Sequence, residues 1–425
     1  MKINLRKQKK KKLFYGWIIV FACMILTATS TGFLSYLNAL FVEPVTESLG
    51  FARTEYMVHN TLSTVASMIA MPIIGALYSK YHMKVMIFAG AMIGAAGLFT
   101  FSFSSSLIGF YIGGILKGIG MSTFGGIPIA ILLANWFYEK RGFVTGIAYM
   151  GSALVSSVLS TPIARVIETN GWRWTYRVLG TVILITIIPA LLFLIKEKPA
   201  EIGEKPYGIP EEKKDTSAES KGFSRKEAAR MPAFWFFAAA VFLMGLFTSG
   251  AQQHLVAYWT STGNSASMAA SFYSGVMFCS MLSKVGMGGV YDKLRASTAN
   301  VLCGIVAAAS FIGLVLFRSG IGIIIPVVLF GATTALQIIA TNYLTIKFFG
   351  EKDFGMLFGL INTMLFLGTS IGVTFSALIY DLSGSYDIAW LIYAGAAVVM
   401  TIFLVVADRL SIREFRVKLS VERRA

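Results

Sequence analysis

Twelve blocks of roughly twenty apolar residues recur between Leu13 and Ala407, with short polar breaks between them. A bilayer's hydrocarbon core is about 30 Å thick, and a helix needs about 20 residues to cross it. The pattern therefore predicts twelve transmembrane helices, over 14–40, 57–78, 84–104, 107–134, 141–164, 175–195, 233–258, 269–290, 297–317, 321–346, 356–380 and 386–407. Inside lipid every backbone polar group must be paired within the protein, so only helices or closed barrels can span it. Runs this long and continuous exclude barrel strands, and the fold class expected is an all-α membrane protein.

Composition agrees. The chain has 425 residues, 56% of them hydrophobic and only 14% charged. A soluble protein of this length cannot hide so much apolar surface. The formal net charge of +16 invites a nucleic-acid reading, but the distribution of the 37 Lys and Arg residues refutes it. They gather on the side of the N-terminus: the tail from Lys2 to Lys12, Lys80, Lys84, Lys140, Arg141, the stretch from Lys196 to Arg230, Lys293, Arg295, Lys347, Lys352, and the tail from Arg409 to Arg424. Only Arg53, Arg165, Arg173, Arg177 and Arg318 fall on the other side. The positive-inside rule accounts for the bias and places both termini in the cytoplasm of a multi-pass cell-membrane protein. The basic tail could also touch anionic lipid. The first apolar run is long and ends without a small-residue cleavage site, so no cleaved signal peptide is expected. Cys23, Cys279 and Cys303 lie in apolar spans without metal or disulfide spacing.

The chain divides into a basic tail (1–13), a six-helix half (14–195), a charged linker (196–232), a second six-helix half (233–407) and a C-terminal tail (408–425). The linker carries Pro199, Pro206 and Pro210 and no apolar run. Ser224 and Glu227 match a capping box, which predicts a short helix leading into the seventh span. The halves repeat one another. Gly75 and Gly288, Lys80 and Lys293, Gly118 and Gly331, Gly142 and Gly355, and Gly146 and Gly359 all share one offset, at equivalent helices and loops. Two repeated halves around a central site is a transporter plan, with access alternating as one half rocks on the other.

The second span ends Gly75-Ala-Leu-Tyr-Ser79-Lys80, and the eighth ends Gly288-Gly-Val-Tyr-Asp292-Lys293. Glycine permits close helix contact there, and an acid and a base at the helix ends can lock one face shut. These loops resemble the G-x-x-x-D-R/K loops of the major facilitator superfamily, with Ser79 in place of the usual Asp. Further features are Tyr15-Gly16-Trp17, Trp136-Phe137 with Arg141-Gly142, Phe349-Gly350 with Phe354-Gly355, and Tyr380-Asp381 with Gly384. Together they resemble the monocarboxylate-transporter and oxalate:formate-antiporter branch over nearly the whole chain. The resemblance implies two six-helix halves, secondary transport of a small organic anion, and gating loops at Gly75, Lys80, Gly288, Asp292, Lys293 and Arg141.

All 21 acidic residues lie in tails, loops or span ends, whereas Lys117 and Lys284 sit well inside spans. Ionisable groups at membrane depth are costly and are functional candidates by default. Two cations without an intramembrane carboxylate suit an anionic substrate that supplies the missing charge. Lys284 is about 12 Å along its helix from Asp292 and matches the position of a substrate-binding Arg in the resembled branch. Its alternative is a snorkelling or inter-helix lysine. Lys117 lies roughly 15 Å from the helix end and stands near the place of a superfamily Arg in the fourth span. His254, after Gln252 and Gln253, is the proton-coupling candidate; a hydrogen-bonded helix-end histidine is the alternative. Ser35 and Ser280 stand where branch members carry a Lys and an Asp, which leaves uniport, exchange, or symport through His254 open. Tyr36, Asn38, Gln337, Asn342, Asn362 and Thr363 could orient a substrate, or could serve as inter-helix hydrogen bonds.

The function expected is secondary active transport of a small organic anion, a monocarboxylate such as lactate or pyruvate, or formate or oxalate. The alternative is a porter for a neutral solute or drug-like compound. An exporter of cationic drugs would want an acidic cavity residue, and none is visible. Gly118-x-Gly120 lacks the Gly-Lys-Ser/Thr of a phosphate loop. Without a metal cluster or nucleophile triad, enzyme activity is not expected. No cofactor and no nucleic acid partner are expected, and the chain is expected to act as a monomer in the bilayer.

Overall fold

The computed structural model describes residues 14–78, 80–139, 141–208, 222–350 and 352–422. Twelve membrane-length helices follow in order: α1 (Gly16–Leu40), α2 (Arg53–Tyr78), α3 (Met83–Phe103), α4 (Leu107–Trp136), α5 (Arg141–Asn170), α6 (Trp172–Leu194), α7 (Pro232–Gln252), α8 (Ala266–Lys293), α9 (Ala296–Leu316), α10 (Ile324–Phe349), α11 (Phe354–Ser383) and α12 (Asp387–Glu422). Among the described residues, nine are long and apolar enough to cross a membrane by length and composition alone. The other three, α2, α8 and α10, have matching lengths and complete a twelve-helix fold. An even number of spans puts both ends of the chain and the linker on one face, the terminal face; the opposite one is the far face. Ser79 and linker positions 209–221 lie outside the described residues, as does the tail 1–13. For Arg141, Gly288, Asp292, Lys293 and Asn342 only the helical backbone is described.

Each half packs in the same way. α4 lies against α2 and α3, and α10 against α8 and α9. The repeated glycines mark these crossings. A Cβ on Gly118 would stand 2.0 Å from the Ser63 carbonyl oxygen of α2, and one on Gly331 would stand 2.8 Å from the Val276 carbonyl oxygen of α8. Without a hydrophobic force between helices in lipid, small residues that let backbones approach supply the packing. Large apolar side chains such as Phe21, Phe103, Ile185, Phe193 and Leu382 point outward, as a lipid-facing surface requires.

Several helices depart from the hydropathy pattern in ways apolar content cannot reveal. α1 turns π-helical over Ala28–Phe33 and 3-10-helical over Tyr36–Leu40. The hydroxyls of Thr29 and Ser30 bond back to the carbonyls of Ile25 and Leu26, a habit that loosens a helix. α7 breaks at Gln253 and resumes as Leu255–Ser261. A short amphipathic helix, Val42–Leu49, covers the far face between α1 and α2. α12 continues past its apolar run to Glu422, and Phe415 there packs edge-on against Phe223. The linker is docked at both ends: Tyr207 bridges Phe137 after α4, and Gly222 bridges Gly350 after α10. The expected capping box of Ser224 and Glu227 is present and starts the helix Arg225–Ala228.

The halves meet along α2–α11 and α5–α8. The hydrogen bonds described between them gather toward the far face. Thr61 donates to the Ser370 carbonyl, Tyr273 to the Tyr36 carbonyl, and Gln253 to the Ser35 carbonyl, while Thr161 meets Ser271. Toward the terminal face the repeat glycines Gly75, Gly146 and Gly359 have no neighbour within 4 Å of a built Cβ. Cross-half hydrogen bonds thus close the far face, while these three terminal-face glycines stand beside open space. Gly118→Val is expected to lower the melting temperature of the purified protein by several degrees, since overpacking costs about 1–3 kcal/mol. Gly75→Val, made in open space, should leave the melt nearly unchanged; equal effects would show that the crossings are not so tight.

Candidate functional site

Lys284 sits on α8, 7% exposed, in the seam between the halves. Among the described residues its Nζ has no hydrogen-bond partner and no carboxylate at ion-pair distance. It lies over the ring of Tyr36 in the other half, 5.6 Å from Nζ to the centroid. Tyr36 is presented by the 3-10 stretch of α1, whose carbonyl is fixed by the Tyr273 hydroxyl at 2.8 Å. One turn before Lys284, Ser280 accepts a hydrogen bond from Thr334 of α10 at 2.6 Å, so that position offers a neutral hydroxyl pair and no acid. A desolvated cation–π contact contributes about 2 kcal/mol, whereas taking an ammonium out of water costs several kcal/mol. The ring contact alone therefore leaves the balance unfavourable.

Lys117 is placed differently. It is 2% exposed on α4 and lies within the N-terminal half. Its ammonium donates to Asn60 Oδ1 of α2 at 2.6 Å and lies 5.9 Å from the Phe101 ring centroid of α3. Beside it, His59 bonds through Nδ1 to the Tyr56 carbonyl, which fixes the proton on Nδ1; the buried Nε2 has no partner. The two lysines therefore do not converge on one point. Asn60 and His59 were missed in the sequence, where the signal was a polar His-Asn pair one turn into an apolar span.

His254 lies in the break of α7, fully buried. Its Nε2 meets the Val373 carbonyl at 2.9 Å, so that nitrogen carries the proton, and Nδ1 accepts from the Tyr386 hydroxyl at 3.1 Å. Tyr386 in turn accepts from Arg53 of α2 at 2.8 Å. The histidine thus ends a chain of oriented donors at the far-face seam. Near it, on the helix Val42–Leu49, burial holds the Glu43 carboxyl above the usual range, partly offset by Thr260 and Arg53. Asn38 donates to Gln253 at 3.5 Å across the same seam. Gln337 donates to the Met244 carbonyl and reaches Ser249 of α7, and Asn362 donates to the Phe358 carbonyl of its own helix. Gly75 and Lys80 stand at the terminal face, exposed. Among the described residues no group of three His, Cys, Asp or Glu side chains could hold a metal ion.

Because Asn60 is the partner of the Lys117 ammonium, Asn60→Leu leaves a buried cation unpaired. Losing such a bond costs about 1–3 kcal/mol, more for charged groups. The melting temperature should fall, and Lys117→Met in the same background should recover part of the loss. An Asn60→Leu protein as stable as the parent would exclude this pairing.

A family model described as Major Facilitator Superfamily matches residues 20–326. The chain is 22% identical over 420 residues to monocarboxylate transporter 12 of Rattus norvegicus, covering 92% of this chain and 85% of that one. It is 28% identical over 180 residues to monocarboxylate transporter 2 of Homo sapiens, 40% of this chain and 35% of that one. With monocarboxylate transporter 3 of Gallus gallus it shares 26% over 173 residues, 40% and 31% of the two chains. These last two matches span about a third of the relatives' length. Among solved structures, a bacterial homolog of the human lysosomal transporter Spinster, inward-facing and unoccupied, aligns with a TM-score of 0.69 at 14% identity, over 96% of this chain and 98% of that one. A point mutant of the nucleoside transporter NupG aligns with a TM-score of 0.71 at 12% identity, over 92% and 99%. Likenesses at such identity show the fold, and the family model covers most of the chain: it belongs to the Major Facilitator Superfamily, whose members are membrane transporters and not enzymes.

Proposed function

We propose that the chain is a secondary transporter of a small carboxylate anion, working by alternating access, with Lys284 as the group that meets the carboxylate. The observation that carries this reading is the ammonium of Lys284, buried in the seam between two halves, without a hydrogen-bond partner among the described residues and set over the Tyr36 ring. A site of that kind is poorly balanced when empty and is completed by one negative charge. Relatives named monocarboxylate transporters support the substrate class. The gathering of Lys and Arg on the terminal face supports a cytoplasmic position for both ends and the linker in the cell membrane. The closed far face then corresponds to an inward-open state, and the unpacked glycines Gly75, Gly146 and Gly359 supply surfaces that meet only when the terminal face shuts. Lys117 enters as a supporting charge: its ammonium already has Asn60, so it tunes the N-terminal half instead of making the first contact.

The test is uptake into liposomes of labelled lactate, pyruvate, formate and oxalate, with and without a pH gradient. Lys284→Ala is expected to insert and purify normally but to lose saturable uptake of whichever carboxylate the parent carries. Removing one partner of a buried charge pair costs about 2–5 kcal/mol, equivalent to roughly 30-fold or more in apparent affinity. Lys284→Arg should retain part of it, because the charge persists while the donor geometry changes. Saturable uptake at the parent's level by Lys284→Ala would sink the proposal.

A further inference from the structure

The start of α2 carries half of a capping box. The residue before it, Ala52, has no side-chain acceptor, although its own N–H is taken by Glu55 Oε2 at 3.2 Å. In a complete box the residue at position 52 would supply a side-chain oxygen in return. The first amides of the helix instead find Asp381, on the last turn of α11 in the opposite half. Asp381 Oδ1 accepts from the Arg53 N–H at 3.2 Å, and Oδ2 from the Thr54 N–H at 2.8 Å. The Arg53 guanidinium takes no part in this. It lies 3.8 Å from the Tyr380 ring centroid and donates to the Tyr386 hydroxyl.

We propose that Asp381 is a helix cap supplied in trans, and that this cap, more than an Arg53–Asp381 ion pair, holds the far face closed. The carboxylate lies near the C-terminal, electronegative end of its own helix, where a negative charge is disfavoured, and beside the N-terminal, electropositive end of α2, where it is favoured. Parting the far face therefore carries two costs at once. α2 loses the acceptor for two amides, with only Ala52 in the local capping position, and Asp381 is returned to the wrong end of α11. The Arg53 clamp on Tyr380 and Tyr386 is a second, separate tie between the same two halves. The proposal rests on alternating access but not on the identity of the substrate.

Two spin-label pairs in the full chain, reconstituted in liposomes with Cys23, Cys279 and Cys303 replaced by serine, read the conformation directly. Glu47→Cys with Ser383→Cys reports the far face, and Lys80→Cys with Lys352→Cys reports the terminal face. Asp381→Ala is expected to enrich the far-open population about fivefold, the usual effect of losing a helix cap. The far-face distance should lengthen while the terminal-face distance shortens, a coupled response that misfolding cannot mimic. Asp381→Asn, which keeps an acceptor but no charge, should fall between. The decisive comparison is the Arg53→Ala background, where the amide at position 53 remains. There Asp381→Ala should enrich the far-open state by the same factor. No shift in either background, or a shift only when Arg53 is present, would overturn the trans cap. If the two distances never move in opposite directions in any variant, alternating access itself fails. Failure of the carboxylate reading would show in uptake and leave these distances as expected.

Discussion

A backbone amide or carbonyl at membrane depth cannot turn to water, and that constraint organises the contacts of this protein. Near the seam, groups at helix starts and breaks are taken by side chains of neighbouring helices, several of them from the other half. The carbonyls of Ser35 and Tyr36, released where α1 breaks, accept from Gln253 and Tyr273 of the other half. The first amides of α2 go to Asp381. Within the C-terminal half, His254 at the break in α7 is held by the Val373 carbonyl of α11 and links across the seam through Tyr386 to Arg53. The far-face seal is thus built largely from helix ends and helix breaks, each supplied with a partner by a neighbour. Such a seal is specific, because the donors have fixed geometry.

The same constraint separates the two buried lysines. Both ammonium groups lie in the protein interior, but among the described residues only Lys117 has a neutral oxygen within hydrogen-bond reach, in its own half. Its environment therefore survives any movement of one half against the other. Lys284 has its aromatic neighbour in the opposite half, on the stretch of α1 that also lends its carbonyls to the seal. Tyr36 belongs to the segment that ties the halves, so under the proposed transport role an anion drawn to Lys284 would compete with Tyr36 and be coupled to the far-face seal through one short piece of backbone.

Much of this was legible in the chain. Most of the spans follow from apolar length, because lipid imposes the length, although α2, α8 and α10 are less apolar than the other nine. The repeated glycines pointed to equivalent crossings, and Gly118 and Gly331 each press on the backbone of the helix they cross. Lys284 stood out as a charge among apolar residues. The breaks did not, because π-helical and 3-10 turns keep the same hydropathy as the α-helix around them; Ala28–Phe33 reads as one more stretch of span. Nor did the partners. Asn60 is 57 residues from Lys117, and Asp381 is 328 from Arg53. No local pattern connects residues so far apart, and an Arg and an Asp at two helix ends suggest an ion pair when the geometry is a helix cap.

The empty places on the terminal face complete the physical picture. Glycine inside a helix costs roughly 0.5–1 kcal/mol relative to alanine. Gly118 and Gly331 offset that cost through the close crossings they allow, whereas a Cβ at Gly75, Gly146 or Gly359 would meet open space in this conformation. In a protein with one resting shape, such glycines would be a loss without return. Under alternating access they are surfaces held in reserve, matched to one another by the repeat and able to let backbones meet once the far face has parted. The far-face seal and these reserve crossings then work as opposing contacts of similar kind, each made as the other is lost. If the two sets of contacts are of similar strength, as the proposed transport role requires, a ligand with a modest difference in affinity for the two states would move the balance between them.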